Sequence, residues 1–433
     1  MLSYLLSFPY LFFTAYILLG CSAKTKLSSV ALDERVHESF HDAAVSPNEA
    51  TAKHCAAKQP YLEFAARGLG DPDGAFNTFF SDNSVATESA EFAPDGASFA
   101  TVSKSKNSVA KLRVWSSTTY QMLWSASVGG ETEAVSYSLD GKVIVTGGES
   151  HSGAGSLMFW DAQSAQLIVL SKPFHYPASI EGLRFSPDGR YLATGDESGH
   201  IVIWNSSDSN AANWEVLQDI DASGGLSGPQ DINQIDWAAD SQSFVAAQRN
   251  GVVSRYSVKH TDDKQIQFFL LKTYLGFEGT TVKSVRLSPD GNLVAAGAGN
   301  AAGVRIWDFD NGELIRYLPS EKTPIVTQQT GKPLAAERIE TVLFSPDSKV
   351  LFTGGSWRPG WIIERGFDSL GHSVELSLFD VNDLRDRSNK TIMPYLRLPA
   401  WRQEYFDISP DGKLFLSSHD DGSWRLWHLR KNC

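Results

Sequence analysis

One short turn recurs seven times and limits what the chain can fold into more than any other feature. It reads Ala93-Pro94-Asp95-Gly96, Ser138-Leu139-Asp140-Gly141, Ser186-Pro187-Asp188-Gly189, Ala238-Ala239-Asp240-Ser241, Ser288-Pro289-Asp290-Gly291, Ser345-Pro346-Asp347-Ser348 and Ser409-Pro410-Asp411-Gly412. Successive turn aspartates lie 45, 48, 52, 50, 57 and 64 residues apart, close to one four-stranded propeller blade plus insertions. Pro presets φ, Asp bonds local amides and Gly accepts positive φ, so each turn joins two strands. An apolar stretch such as Ile180 to Phe185 precedes it. A strand with small residues follows, such as Tyr191-Leu192-Ala193-Thr194-Gly195 or Leu293-Val294-Ala295-Ala296-Gly297, where small side chains let neighbouring sheets approach.

Further along, each unit has an apolar strand ending in an aromatic: Val114-Trp115, Phe159-Trp160, Ile203-Trp204, Arg255-Tyr256, Ile306-Trp307, Leu378-Phe379 and Leu426-Trp427. Seven turns are matched by seven aromatics. The arrangement resembles the WD-repeat family, with the Trp-Asp pair literal at Trp160-Asp161 and Trp307-Asp308 and softened at Phe379-Asp380. The resemblance covers roughly residues 75 to 429 and implies an all-β, seven-bladed WD-repeat-like β-propeller. The Gly-His pair that usually opens a repeat is missing, which leaves the family's buried His-Asp network in question.

The last unit ends at its third strand, Trp424 to Leu429, so an N-terminal strand must close the last blade. Two donors are available, Ala75 to Phe80 and Tyr61 to Ala66. Spacing favours Ala75 to Phe80, whose distance to Phe92 matches that from Trp124 to Tyr137.

Residues 2 to 20 are almost wholly apolar and carry no charged side chain, as a signal peptide or a membrane span would. The run ends in Leu18-Leu19-Gly20-Cys21, which resembles the bacterial lipobox, although no Lys or Arg precedes it. That resemblance implies a signal peptide over residues 1 to 20, a lipidated Cys21 and, with Ser22 next, an envelope protein on the outer membrane facing the periplasm. An uncleaved anchor or plain secretion stays open. Residues 21 to 58 read as a flexible tether and 59 to 433 as the propeller. Cys55 and Cys433 flank the two closing strands; a disulfide between them and two free thiols are equally open readings.

The net charge of −12 disfavours nucleic acid. No Gly-x-Ser-x-Gly elbow, His-Glu-x-x-His or zinc-spaced cysteine pair occurs, so no catalytic residue, metal or cofactor is expected. His151, His200 and His419 read as solvated histidines at loop or strand edges. Asp308-Phe309-Asp310-Asn311-Gly312 reads as a type I′ hairpin rather than a calcium loop. No carboxylate or histidine is picked out at repeated channel positions, so a non-catalytic, monomeric envelope scaffold with a protein partner leads over a propeller enzyme acting on glycans or small esters. Three long connections are expected to cluster on one face: Gly355 to Ser373, Leu318 to Arg338 and Pro399 to Glu404. They bring Trp357, Arg358, Trp361, Arg365, His372, Trp401 and Arg402, residue types that binding hot spots use. Trp357 and Trp361 could instead fold back as a local plug over the blade edge.

Overall fold

In a computed structural model of the chain, the described residues are 61–69, 86–104, 110–223, 230–260, 266–299, 302–319, 325–326, 333–359, 374–386, 394, 396–400, 403–419 and 422–430. They build seven antiparallel sheets, each packed on the next around a ring. The innermost strands of blades 1 to 7 are Ala86–Phe92, Thr132–Tyr137, Ile180–Phe185, Ile232–Trp237, Val282–Leu287, Pro333–Phe344 and Gln403–Ile408. Each turn aspartate follows its innermost strand, and each predicted aromatic lies on its blade's third strand.

The turn chemistry is as the sequence implies. In blade 2, Ser138 Oγ donates to Asp140 Oδ1 at 2.7 Å and accepts from the Val143 amide at 3.0 Å, while Gly141 takes φ +70°. Serine replaces this glycine at 241 and 348, with φ +58° and +57°. Each has a compensating bond: Ser241 Oγ accepts from the Asp188 amide at 3.0 Å and Ser348 Oγ from the Asp290 amide at 2.9 Å, tying adjacent turns together. At Asp308–Gly312 only Gly312 has positive φ, so the turn is not type I′. The Asp308 carboxylate caps the amides of Asp310 and Asn311.

Between the blades, the third-strand tryptophans keep part of a polar network without the missing histidines. Trp115 Nε1 donates to Thr101 and Trp160 Nε1 to Thr146. In blade 3 a tyrosine stands in: Trp204 Nε1 donates to Tyr176 Oη at 2.9 Å, and Tyr176 bonds Thr194 at 2.6 Å. His419, expected to be solvated, is 1% exposed and bonds Ser417 through Nε2. Strand pairing buries it because it ends the second strand of blade 7, facing Gln403.

The N-terminal strand does close the ring, but the donor is Tyr61–Leu69, which pairs antiparallel with Ser423–Arg430. The preferred Ala75 to Phe80 lies outside the described residues. Residue spacing misled because it ignored side-chain fit. Leu62 is buried beside Leu429, Val350 and Phe352. Phe64 meets Trp427 edge-on with centroids 5.2 Å apart, and Glu63 pairs with Arg430 at 2.7 Å.

The supposed loops of blade 6 are partly strand. Pairing runs from Ala335 opposite Pro359 through Phe344 opposite Leu351, and Ile325–Val326 adds a short fifth strand. The expected loop starts at Gly355, yet Gly354 and Gly355 are both packing glycines. A Cβ on Gly355 would collide with the Arg338 carbonyl, and one on Gly354 with the Phe406 ring. Pro399 to Glu404 is also short of a loop: Leu396–Ala400 is the outermost strand of blade 6, and Gln403 opens blade 7.

Candidate functional site at the channel mouth

Every innermost strand carries a bulge at the same place. Register slips between Thr87 and Ser89, Thr132 and Ala134, Ile180 and Gly182, Ile232 and Gln234, Val282 and Ser284, Ile339 and Thr341, and Gln403 and Tyr405. The residues displaced are Glu88, Glu133, Glu181, Asn233, Lys283, Glu340 and Glu404, and all seven line one cavity of about 580 Å³. A bulge re-aims its side chain. Repeated around the ring, it turns five carboxylates, one amide and one ammonium toward the same space. Each lies seven residues before its turn aspartate, so the signal was present in the repeat, contrary to the expectation that no carboxylate recurs at channel positions.

The mouth is acidic with embedded cations. Lys104 pairs with Glu133 and, at 3.0 Å, with Glu131. Burial works against its charge, but Glu133 and Glu88 outweigh that and hold the ammonium firmly protonated. Arg338 lies 3.2 Å from Glu340, and Lys283 donates to Asn233 at 3.0 Å. On the blade 3 side the carboxylates outnumber their partners. Oxygens of Glu181, Glu197 and Asp231 lie within 4.8 Å of one another, with Arg249 bonded to Asp231 at 2.7 Å. Burial pushes Glu181 up to about 7, Glu133, Asp231 and Glu197 add to the rise, and Lys283 opposes it. Glu197 is also raised, by burial and then by Asp231. Such a donor set suits an ammonium, a guanidinium or a hard cation.

Below the mouth, a charged plug spans the channel. Arg184 contacts Glu91 at 2.8 Å and Asp236 at 3.8 Å; Arg286 contacts Asp236 at 3.6 Å and donates to Tyr405 Oη at 2.6 Å. The carboxylates also clasp adjoining blades. The Tyr137 amide donates to Glu91 at 3.1 Å, the Leu287 amide to Asp236 at 2.8 Å and the Phe92 amide to Asp407 at 2.7 Å.

Of the residues expected to form the site, Trp357 and Arg358 fall on the second strand of blade 6, opposite Glu337 and Ala336. Their side chains, together with Trp361, Arg365, His372, Trp401 and Arg402, lie outside the described residues, as do Cys21, Cys55 and Cys433. Arg338, which ends the expected 318 to 338 loop, and Glu404, which ends the 399 to 404 one, line the cavity. No helix among the described residues is long and apolar enough to cross a membrane.

Three segments, residues 169–205, 268–308 and 405–428, match the family described as "WD domain, G-beta repeat". The chain is 26% identical over 193 residues to the periodic tryptophan protein 2 homolog of Caenorhabditis elegans, covering 45% of this chain and 19% of that protein. It is 24% identical over 268 residues to the echinoderm microtubule-associated protein-like 2 of Rattus norvegicus, covering 56% and 37%. It is 22% identical over 305 residues to the 77 kDa echinoderm microtubule-associated protein of Strongylocentrotus purpuratus, covering 66% and 40%. The chain thus spans less than half the length of each of these relatives. Seven repeated turns and seven sheets in a ring make this chain a seven-bladed β-propeller, and the matched segments make it similar to WD-repeat proteins.

Proposed function

We propose that the propeller is a non-catalytic interaction scaffold that holds a basic segment of a protein partner over the channel mouth. The carrying observation is the bulge ring, which directs Glu88, Glu133, Glu181, Glu340 and Glu404 into one cavity. Half-buried carboxylates that outnumber nearby cations gain by accepting lysine or arginine hydrogen bonds. The test is fluorescence anisotropy of labelled hexa-arginine and hexa-glutamate peptides on the full chain. Hexa-arginine should bind, and a Glu88→Gln, Glu133→Gln, Glu404→Gln triple variant should weaken it at least about tenfold. An exposed control outside the cavity lining, Asp383→Asn in the short helix Val381–Arg385, should not. Equal loss in both variants would mean that overall charge, not the mouth, attracts the peptide.

The glycan or ester hydrolase has one observation in its favour: Glu181 is raised to about 7 beside other carboxylates, the pattern of an acid and base pair. Against it, sugar rings stack on aromatic faces, and among the described residues the cavity lining offers only Tyr405, with Arg286 already 5.0 Å over its ring. Turnover of p-nitrophenyl glycosides or esters that is lost in Glu181→Gln would overturn the scaffold reading.

The lipid tether at Cys21 remains part of the proposal. It rests on the Leu18 to Cys21 sequence alone, and the relatives named above are animal proteins, which lends a bacterial envelope no support. Release of Cys21→Ala from the membrane fraction would support the tether; unchanged fractionation would remove it.

A further inference from the structure

Blade 7 takes three strands from one end of the described chain and its fourth, Tyr61–Leu69, from the other. The ring therefore shuts by strand pairing at this blade, and its seam with blade 1 is the place where it can open. A buried bond crosses that seam: the Phe92 amide of blade 1 donates to Asp407 Oδ2 of blade 7 at 2.7 Å. Asp407 does not stand in neutral surroundings. Glu91 faces it from blade 1, Arg184 from blade 3 and Arg286 from blade 5, with Asp236 of blade 4 and Tyr405 of its own strand in the same plug. Three carboxylates share two guanidiniums, so the plug carries one negative charge too many. Arg184 spends its short contact on Glu91 and Arg286 its strong bond on Tyr405.

We propose that Asp407 is a proton-operated latch on the seam between blades 7 and 1, holding the ring shut when protonated and letting Tyr61–Leu69 and Ser423–Arg430 open more often when ionised. A protonated carboxyl keeps an oxygen for the Phe92 amide and sets no second negative charge beside Glu91. The ionised form keeps the amide bond but sets like charges on the two sides of the seam. Burial, followed by Glu91, raises Asp407 to about 6 against the pull of Arg184. An opened seam hydrates the carboxyl and returns it to its ordinary value near 4. The closed state then holds more protons than the open one between about pH 4 and pH 6, so closure weakens as pH rises through that window.

The test is amide hydrogen exchange on the full chain at pH 5 and pH 8, corrected for intrinsic rates and referred to blade 5, residues 282–318. Protection of residues 61–69 and 423–430 relative to blade 5 should fall about tenfold at pH 8. In Asp407→Asn, which keeps an acceptor for Phe92 and removes the charge, the two pH values should give equal relative protection. A pH-independent ratio in the wild type, or a dependence that survives Asp407→Asn, overturns the latch. Carbon-13 titration of the wild-type carboxyl gives a second readout that needs no variant. A midpoint near 6 supports the proposal and one near 4 overturns it.

Discussion

Gly68 lies flat against the indole of Trp424, so close that a Cβ on residue 68 would stand 2.8 Å from Nε1 and nearer still to the ring carbons. Trp424 is 1% exposed and meets Phe99 and Trp115 edge-on at 4.9 and 5.3 Å. The closing strand, the last blade and the first blade therefore meet at one ring. Gly68→Ala should displace Trp424 and cost about 2–3 kcal/mol. Urea unfolding checks this, and an unchanged midpoint would show that the strand yields instead.

The serines with positive φ separate backbone strain from hydrogen bonding. Ser348→Ala keeps the strain and loses the bond from the Asp290 amide, so it should cost about 1 kcal/mol. Ser348→Gly loses the same bond but relieves the left-handed backbone, so it should be nearly neutral. Melting temperatures of the two variants give the comparison, and equal losses would refute it.

Tyr176 holds blade 3 through bonds to Trp204 and Thr194 within a buried aromatic group that includes Phe174. Burial raises its hydroxyl well above the usual range, so it stays protonated and can serve both partners. Tyr176→Phe should leave the Trp204 N–H unpartnered and cost about 1–3 kcal/mol with little change in shape. Near-ultraviolet circular dichroism that stays native while stability falls would fit this; a collapsed spectrum would not.

Capture of a basic peptide at the mouth should itself depend on pH. Glu181, raised to about 7 by burial and its carboxylate neighbours against Lys283, becomes ionised as pH rises from 6 to 8, and only the ionised form attracts a cation. Hexa-arginine affinity should therefore rise by about three- to tenfold over that range. Glu181→Gln should bind more weakly at pH 8 with a flat profile. A wild-type affinity that falls with rising pH would be the opposite of this mechanism.

The seven turns were legible because their chemistry is local: proline, aspartate and glycine impose the bend within four residues. The third-strand aromatics were legible because they recur in phase with those turns. The Tyr61–Leu69 donor was not, since choosing between two apolar stretches depends on whether Gly68 meets Trp424 and Leu62 meets Phe352. The end of the blade 6 hairpin was missed for a related reason. Gly354 and Gly355 look identical to loop glycines until Phe406 and the Arg338 carbonyl are placed beside them.

The channel mouth divides the two kinds of information most clearly. By itself the sequence determined the number of blades, the direction of each turn and the identity of the residue seven places before each turn aspartate. Alternation along a strand assigns such a residue to one face of its blade or the other. It assigns none to the channel. Only the bulge between Ile180 and Gly182, and its counterparts around the ring, re-aims that side chain. The tertiary structure then decides the chemistry, because ring closure gathers Glu88, Glu133, Glu181, Glu340 and Glu404 into one cavity, and burial there raises Glu181.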